Sequence, residues 1–369
     1  MKKYLSIIPL LLLLVLLSSW GSRGHRIISS GSAQAYPLPL CFLKPNWTGI
    51  VTNYASEADY RKDTDPTEAS RHYIDIDVYA EFLQTGKISQ YIDSNFLLHG
   101  YSFVLGHGIL PWATLTTFDS LKACFQRHDW QRSALFAADL GHYVGDGHNP
   151  LHITENFNGQ LTGQEGIHSH YETSMVGRYD NLLVYQPDTA HLISNVRDYI
   201  FSFIYLNHCY VDSILAVDAA ARAAVGNDYS TAYYQLLWTG TGAFTIDLMK
   251  RGSEALANLI YTAWVQAGSP VFYPLGIGES ASSAAMSLKI YPNPVTSQAT
   301  FQYQVTSFSA PIILQVWDAA GRLCETLVDR VQDPGTYTLP WNLTHLSSGS
   351  YYCVLRQGAE THSRQFIVQ

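Results

Sequence analysis

Apolar and polar positions along this 369-residue chain follow two different periods. In LISNVRDYIFSFIYLN (192–207), SILAVDAAARAAV (213–225) and AFTIDLMKRGSEALANLIYTAWVQA (243–267), apolar residues return every three or four positions. That is the period of a helix with one buried face, and with the similar spacing over Phe118–Leu140 it predicts a mainly helical region over 118–140 and 188–267. Beyond 287 the period drops to two. MSLKIYPNPVTSQATFQYQV, PIILQVWDAAGRL, GTYTLPWNL and GSYYCVLRQ alternate in short runs separated by turn residues, which predicts a small β-sandwich of about seven strands. Between the regimes, GSPVFYPLGIGESASSAAM is rich in Gly, Pro and Ser and reads as a linker.

The first residues follow neither period. Lys2 and Lys3 precede an apolar run, Leu5–Leu17, interrupted only by Ser6 and Pro9 and followed by the small Ser18 and Ser19. This is the pattern of a secretory leader cut after residue 19, and the run is short of the about 20 apolar residues that span a bilayer. No other segment reads as long and apolar enough to cross a membrane, so no transmembrane segment is expected in the mature protein. The expected organisation is a leader over 1–19, a mainly α catalytic domain over 20–272, a linker over 273–286 and an all-β sandwich over 287–369. About 250 residues suffice for one helical core.

Charge and cysteine content narrow this little. With 22 Lys+Arg against 30 Asp+Glu the formal net charge is −8, and no basic run offers a footprint for duplex nucleic acid. The five cysteines leave at least one unpaired in a monomer. Cys324 and Cys353, both in the predicted sandwich, could bridge, and export would permit it. None of the five lies near a ligand motif, which excludes thiolate ligation and a Cys nucleophile.

The chemistry concentrates in HYVGDGHNPLHITENFNGQLTGQEGIHSHYE, His142–Glu172. His142 and Asp146 stand at i and i+4, one turn apart on one helix face, behind the helix-like SALFAADLG. Pro150 stops that helix and places His152 just past the stop. His168 and Glu172 repeat the i, i+4 pairing on what reads as a second helix. Imidazole and carboxylate ligands without Cys suit zinc. His99 and His107 read as structural, since neither has a carboxylate at helical spacing.

Together with these motifs, WGSRGH (Trp20–His25), ADY (Ala58–Tyr60) and RHYID (Arg71–Asp75) resemble the superfamily of bacterial zinc-dependent phospholipases C and fungal single-strand-specific zinc nucleases. The resemblance implies a phospholipase C/nuclease-like helical bundle with three Zn2+ ions. Its nine ligands would be Trp20, His25, Asp59, His72, His142, Asp146, His152, His168 and Glu172. Trp20, as the new amino terminus, would chelate through its amine and carbonyl oxygen, joined by His25. Asp59, His72 and His142 would hold a second ion bridged to the first by Asp146, and His152, His168 and Glu172 the third. The motifs YPNP, DAAGR and LSSGSYYCVL resemble the C-terminal sorting domain of proteins exported by the type IX secretion machinery. That domain implies a secreted or cell-surface location, and an appended adhesive sandwich is its alternative.

These residues imply hydrolysis of a phosphoric ester by a metal-bound hydroxide, with Asp59 a candidate to take a proton. A phospholipase C-type substrate is favoured by Glu172 where the nucleases carry Asp, and by GIHSHYE. ENFNGQLTG also replaces a Gly-Gly-Asn segment of the nucleases. Of the phospholipase's choline-binding positions Tyr60 is kept, whereas Arg23 replaces an acidic residue and Ala69 an aromatic one, which points away from choline. The alternative is a single-strand nuclease or 3′-nucleotidase, in which Tyr73 would stack on a base and Asp75 hydrogen-bond it. A third reading is a non-catalytic surface protein that binds metal or adheres.

Overall fold

The computed structural model describes residues 20–270, 287–305, 311–319, 322–333, 335–357 and 360–369. The expected leader, 1–19, and the expected linker, 273–286, lie outside the described residues. The chain divides into two compact units, one comprising Met1–Pro37 and Pro45–Gly268, the other Leu38–Lys44 and Ser269–Gln369. The first is mainly helical, and the second is built of β-strands apart from the 3-10 turn Leu38–Leu43.

The helical unit begins with α1 (Gly21–Ser32), α2 (Lys44–Asn53) and the short α3 (Glu57–Arg61). Three small helices, α4 (Ala80–Thr85), α5 (Ile92–His99) and α6 (Tyr101–Gly106), precede the long α7 (Leu110–Gln126) and α8 (Trp130–Asp146). After α9 (Ile167–Ser169) the backbone runs through a π-helical turn, His170–Met175, into α10 (Val176–Tyr179). The predicted second helix is therefore one stretch wound wider in its middle. It is followed by α11 (Val196–His208), α12 (Val211–Val225) and the 36-residue α13 (Thr231–Gln266).

The sequence supplies the boundaries. The side chains of Asp129, Asn195 and Ser230 accept from Arg132 N, Asp198 N and Tyr233 N, capping α8, α11 and α13. Helix α13 packs on α1, α7, α8 and α12 and buries Leu237, Leu248, Met249, Leu256 and Ile260. Helix α1 meets α8 where α8 carries Gly141 and Gly145, one turn apart. A Cβ on Gly145 would lie 2.7 Å from His25 Nδ1, so that position admits only glycine at this separation.

Three expectations need correction. The helical reading of 188–267 fails at its start, because no helix lies between Leu182 and Val196. There the backbone is extended and bonds to side chains of α13: His191 N donates to Asn258 Oδ1 (2.8 Å) and Ile193 N to Thr262 Oγ1 (3.0 Å). Second, Val196–Val225 is long and apolar enough to cross a membrane, contrary to the expectation that no segment beyond the leader is. It is broken at Cys209–Tyr210 into two helices and buries Asn207 and Asp218, the latter bonded to Tyr233, Gln164 and Arg222. Those are marks of a core segment.

Third, Cys324 and Cys353 do not bridge. The β-unit pairs its strands antiparallel in a three-stranded sheet, β1 (Leu288–Tyr291), β2 (Gln298–Val305) and β5 (Gly335–Asn342), in the order β1-β2-β5. Its other sheet, also antiparallel, has the order β4-β3-β6-β7, with β3 (Pro311–Asp318), β4 (Leu323–Val331), β6 (Gly349–Gln357) and β7 (Glu360–Val368). Cys324 on β4 and Cys353 on β6 are separated by β3, about two strand spacings of 4.8 Å, beyond the reach of a disulfide. No disulfide forms among the described residues. Phe301, Tyr303, Ile312, Leu314, Val316 and Phe366 form the core of this unit.

Candidate metal centre

Helix α8 sets the site. Its last turn presents His142 and Asp146 one above the other, both fully buried. From α1, His25 stacks on His142 with ring centroids 3.9 Å apart. Asp59 comes from α3, and His72 follows the 3-10 turn Ala69–Arg71. His152 ends the 3-10 turn Pro150–His152, which begins with the predicted helix-stopping proline.

Eight of the nine residues proposed from the sequence fall into three groups able to hold a metal ion. They are His25, Asp59 and His142; His72, His142 and Asp146; and His152, His168 and Glu172. His142 belongs to two of them, which makes those two adjoining. Asp146 Oδ2 lies 3.1 Å from His72 Nδ1 and 3.4 Å from His142 Nε2, and Oδ1 lies 3.5 Å from His25 Nε2 and 3.6 Å from His152 Nδ1. Asp59 Oδ1 stands 3.6 Å from His142 Nε2 and 2.7 Å from Lys62 Nζ. In the third group, His168 Nε2 lies 2.9 Å from Glu172 Oε2 and 3.0 Å from His152 Nε2.

Trp20 belongs to none of the three groups. It is fully buried beside them, with Nε1 donating to Gly145 O at 2.7 Å and its ring 5.8 Å from that of Tyr171.

The proton positions fit a cation. His142 Nδ1 and His152 Nδ1 each donate at 2.7 Å, to Ala55 O and His72 O. Both therefore turn Nε2 inward, the orientation a ligand needs. Burial first, then the neighbouring imidazole of His142, drives His25 down to about 3, and burial with His72 does the same for His142, despite Asp146. Both rings are uncharged at neutral pH. Burial opposes ionisation of Asp146, yet His142, His152 and His72 hold its carboxyl well below the ordinary range. Glu172 is likewise lowered against burial, by His168 and His152. Asp146 Oδ1 is buried and accepts no hydrogen bond among the described residues, an arrangement that is costly without a cation.

Of the remaining candidates, Tyr73 and Asp75 have partners of their own. Tyr60 is 63% exposed next to Asp59. The Tyr73 hydroxyl donates to Gly106 O (3.0 Å), and Asp75 Oδ2 lies 3.1 Å from His107 Nδ1. His107 and His99 thus do have carboxylate neighbours, Asp75 and Glu81, but from distant parts of the chain. Neither joins a metal-holding group among the described residues. Arg23 is paired with Asp180, so its charge is locally offset.

Three contributors escape the sequence reading. Asn149 Nδ2 donates to Glu172 Oε2 (2.8 Å), and Lys62 reaches Asp59. Glu68 Oε1 lies 3.3 Å from His72 Nε2. Glu68 precedes His72 by four residues, the same spacing that flagged His142/Asp146, and that signal could have found it. Burial opposes its ionisation, yet His72, Tyr143 and Arg61 hold its carboxyl down at about 2.

Residues 289–369 match the family described as Secretion system C-terminal sorting domain. The domain marks the protein for export to the cell surface or secretion. Among solved structures, the chain is similar to the alpha toxin from Clostridium absonum at 12% identity and a TM-score of 0.41, covering 94% of this chain and 98% of that one. It is also similar to the Clostridium perfringens alpha-toxin isolated from avian strain SWCP, at 10% identity and a TM-score of 0.44, covering 95% and 99%. No curated protein matches the chain.

Proposed function

We propose that this chain is an exported zinc-dependent phosphodiesterase of the phospholipase C type. The observation that carries the reading is the convergence of five histidines and three carboxylates into three groups, two of them joined through His142. The donor set contains imidazole and carboxylate and no thiolate, which suits zinc. When bound, zinc ions supply Lewis acidity for ester hydrolysis and positive charge opposite the phosphoryl oxygens.

The chain's own residues do the rest. Asp146 faces His25, His72, His142 and His152 and holds the two adjoining groups in register. Asn149 orients Glu172, and the backbone carbonyls of Ala55 and His72 fix the tautomers of His142 and His152. Asp59 is the most exposed carboxylate of the set, with 12% of its side chain accessible, and we assign it the proton-accepting role. Tyr60 offers an exposed aromatic face to the substrate. Arg23 bears less on the choice of head group than its charge implies, because Asp180 offsets it.

In the mature protein residues 1–19 are removed and 20–272 form the catalytic domain. The linker 273–286 leads to the sandwich 287–369, which the type IX machinery recognises. Trp20 would then carry a free amine beside His25 and complete the ligand set. One added residue before Trp20 would convert that amine into an amide, and activity should collapse. An extended protein with full activity and full zinc would contradict the assignment.

We place a nuclease second, because the Asp75 carboxylate, which would hydrogen-bond the base, already has a partner in His107. The test is to give the leader-free, zinc-loaded protein phosphatidylcholine, phosphatidylinositol, single-stranded DNA and a 3′-nucleotide in parallel. Diacylglycerol release without nucleotide cleavage is expected. The reverse result would overturn the phospholipase reading.

A further inference from the structure

The histidines of the centre are not all turned the same way. His142 and His152 donate Nδ1–H to backbone carbonyls and face inward with Nε2. His72 is inverted. Its Nδ1 faces Asp146 Oδ2 (3.1 Å), His142 Nε2 (2.9 Å) and Asp59 Oδ1 (3.7 Å), while its buried Nε2 lies 3.3 Å from Glu68 Oε1. A neutral imidazole carries one proton, so a His72 that ligates through Nδ1 must carry it on Nε2, against the Glu68 carboxylate.

Glu68 is itself held from several sides. It is 4% exposed. Its Oε1 accepts the Tyr143 hydroxyl, and Arg61 Nε lies 3.3 Å from its Oε2. Arg71 Nε donates to the Tyr143 hydroxyl at 2.9 Å, and Arg61 Nη1 donates to Asp139 Oδ1 at 2.9 Å. A carboxylate buried in this way is costly unless it is paired, and the two arginines and Tyr143 pair it.

We infer that Glu68 is a positioning residue: it selects the His72 tautomer that offers Nδ1 and strengthens that nitrogen as a metal donor. A backbone carbonyl can orient an imidazole, but a carboxylate also raises its basicity. Glu68 thus makes His72 a stronger donor than His142 or His152. The inference rests on the metal-centre reading and assigns a role that the ligand set alone does not contain.

The test compares zinc and cobalt binding by the full-length, leader-free protein and its Glu68→Ala and Glu68→Gln variants. The readouts are chelator-competition titration and the visible spectrum of the cobalt form. Glu68→Ala should weaken one ion by about 10- to 100-fold and shift the cobalt bands. Glu68→Gln keeps an acceptor but no charge, so it should restore part of the loss, and the ion held by His152, His168 and Glu172 should be unaffected. Wild-type affinity and spectrum in the Gln variant would overturn the inference, whatever the Ala variant does. So would an equal loss from all sites, which would mark Glu68 as merely structural. Wild-type protein that binds no metal would instead sink the metal-centre reading, and this inference with it.

Discussion

The two units solve burial differently. Among the described residues, the β-unit buries apolar side chains and, of polar ones, Gln332 and Ser363. The helical unit buries His25, Glu68, His72, Asp75, His142, Asp146, His148, His152, His168, Glu172 and Asp218. Among the described residues the β-unit buries no carboxylate, imidazole, ammonium or guanidinium. Each such group in the helical unit costs solvation that its packing does not return. Most of them gather within a few ångströms of Asp146 or Glu172, and a cation is the occupant that offsets the cost.

The contrast can be broken most sharply at Asp146. Asp146→Ala should strip metal from the two adjoining groups and lower phosphodiesterase activity by about 1000-fold or more, with the β-unit unfolding as in wild type. Unchanged metal content would remove the distinction between the units. In the other direction, Phe301→Ala should destabilise the β-unit by about 3–5 kcal/mol in chemical denaturation and leave metal uptake intact. Loss of metal in that variant would mean that the units are not independent.

Chelation sharpens the same line. With free metal at 100 times its dissociation constant, stripping it should cost the helical unit about 2.7 kcal/mol per ion. Scanning calorimetry should show the β-unit transition in place.

The smallest effect concerns Asp75. Burial pushes its carboxyl up to about 6, against the pull of His107. A raised folded pKa means that its favourable contribution is complete below the unfolded value of about 3.9 and lost as pH rises through 6. Asp75→Asn should therefore gain stability relative to wild type between pH 4 and pH 8, by about 3 kcal/mol. An identical pH dependence in the two proteins would contradict the burial penalty.

What the sequence made legible follows from what is local. His142/Asp146 and His168/Glu172 are neighbours on their own helical turns, so spacing alone puts them together. The alternation after 287 is equally local. Asp59 and His72 are not, and only family resemblance picked Asp59 from several nearby acids. The approach of His25 to α8 depends on Gly145, whose missing side chain carries no signal until α1 is placed. The stretch before Val196 looked helical because its apolar spacing is right, but Asn258 and Thr262 on α13 satisfy its backbone instead. Glu68 was visible at i, i+4 from His72, yet its role depends on Arg61 and Tyr143, and Tyr143 lies 75 residues away.

The central claim is that these side chains hold metal, and elemental analysis of leader-free protein purified without chelators tests it most directly. Three groups predict about three equivalents of zinc per chain, falling to about one in Asp146→Ala, because Asp146 faces His25, His72 and His142 of the two adjoining groups. Substoichiometric zinc in the wild-type protein, or an unchanged content in Asp146→Ala, would contradict it.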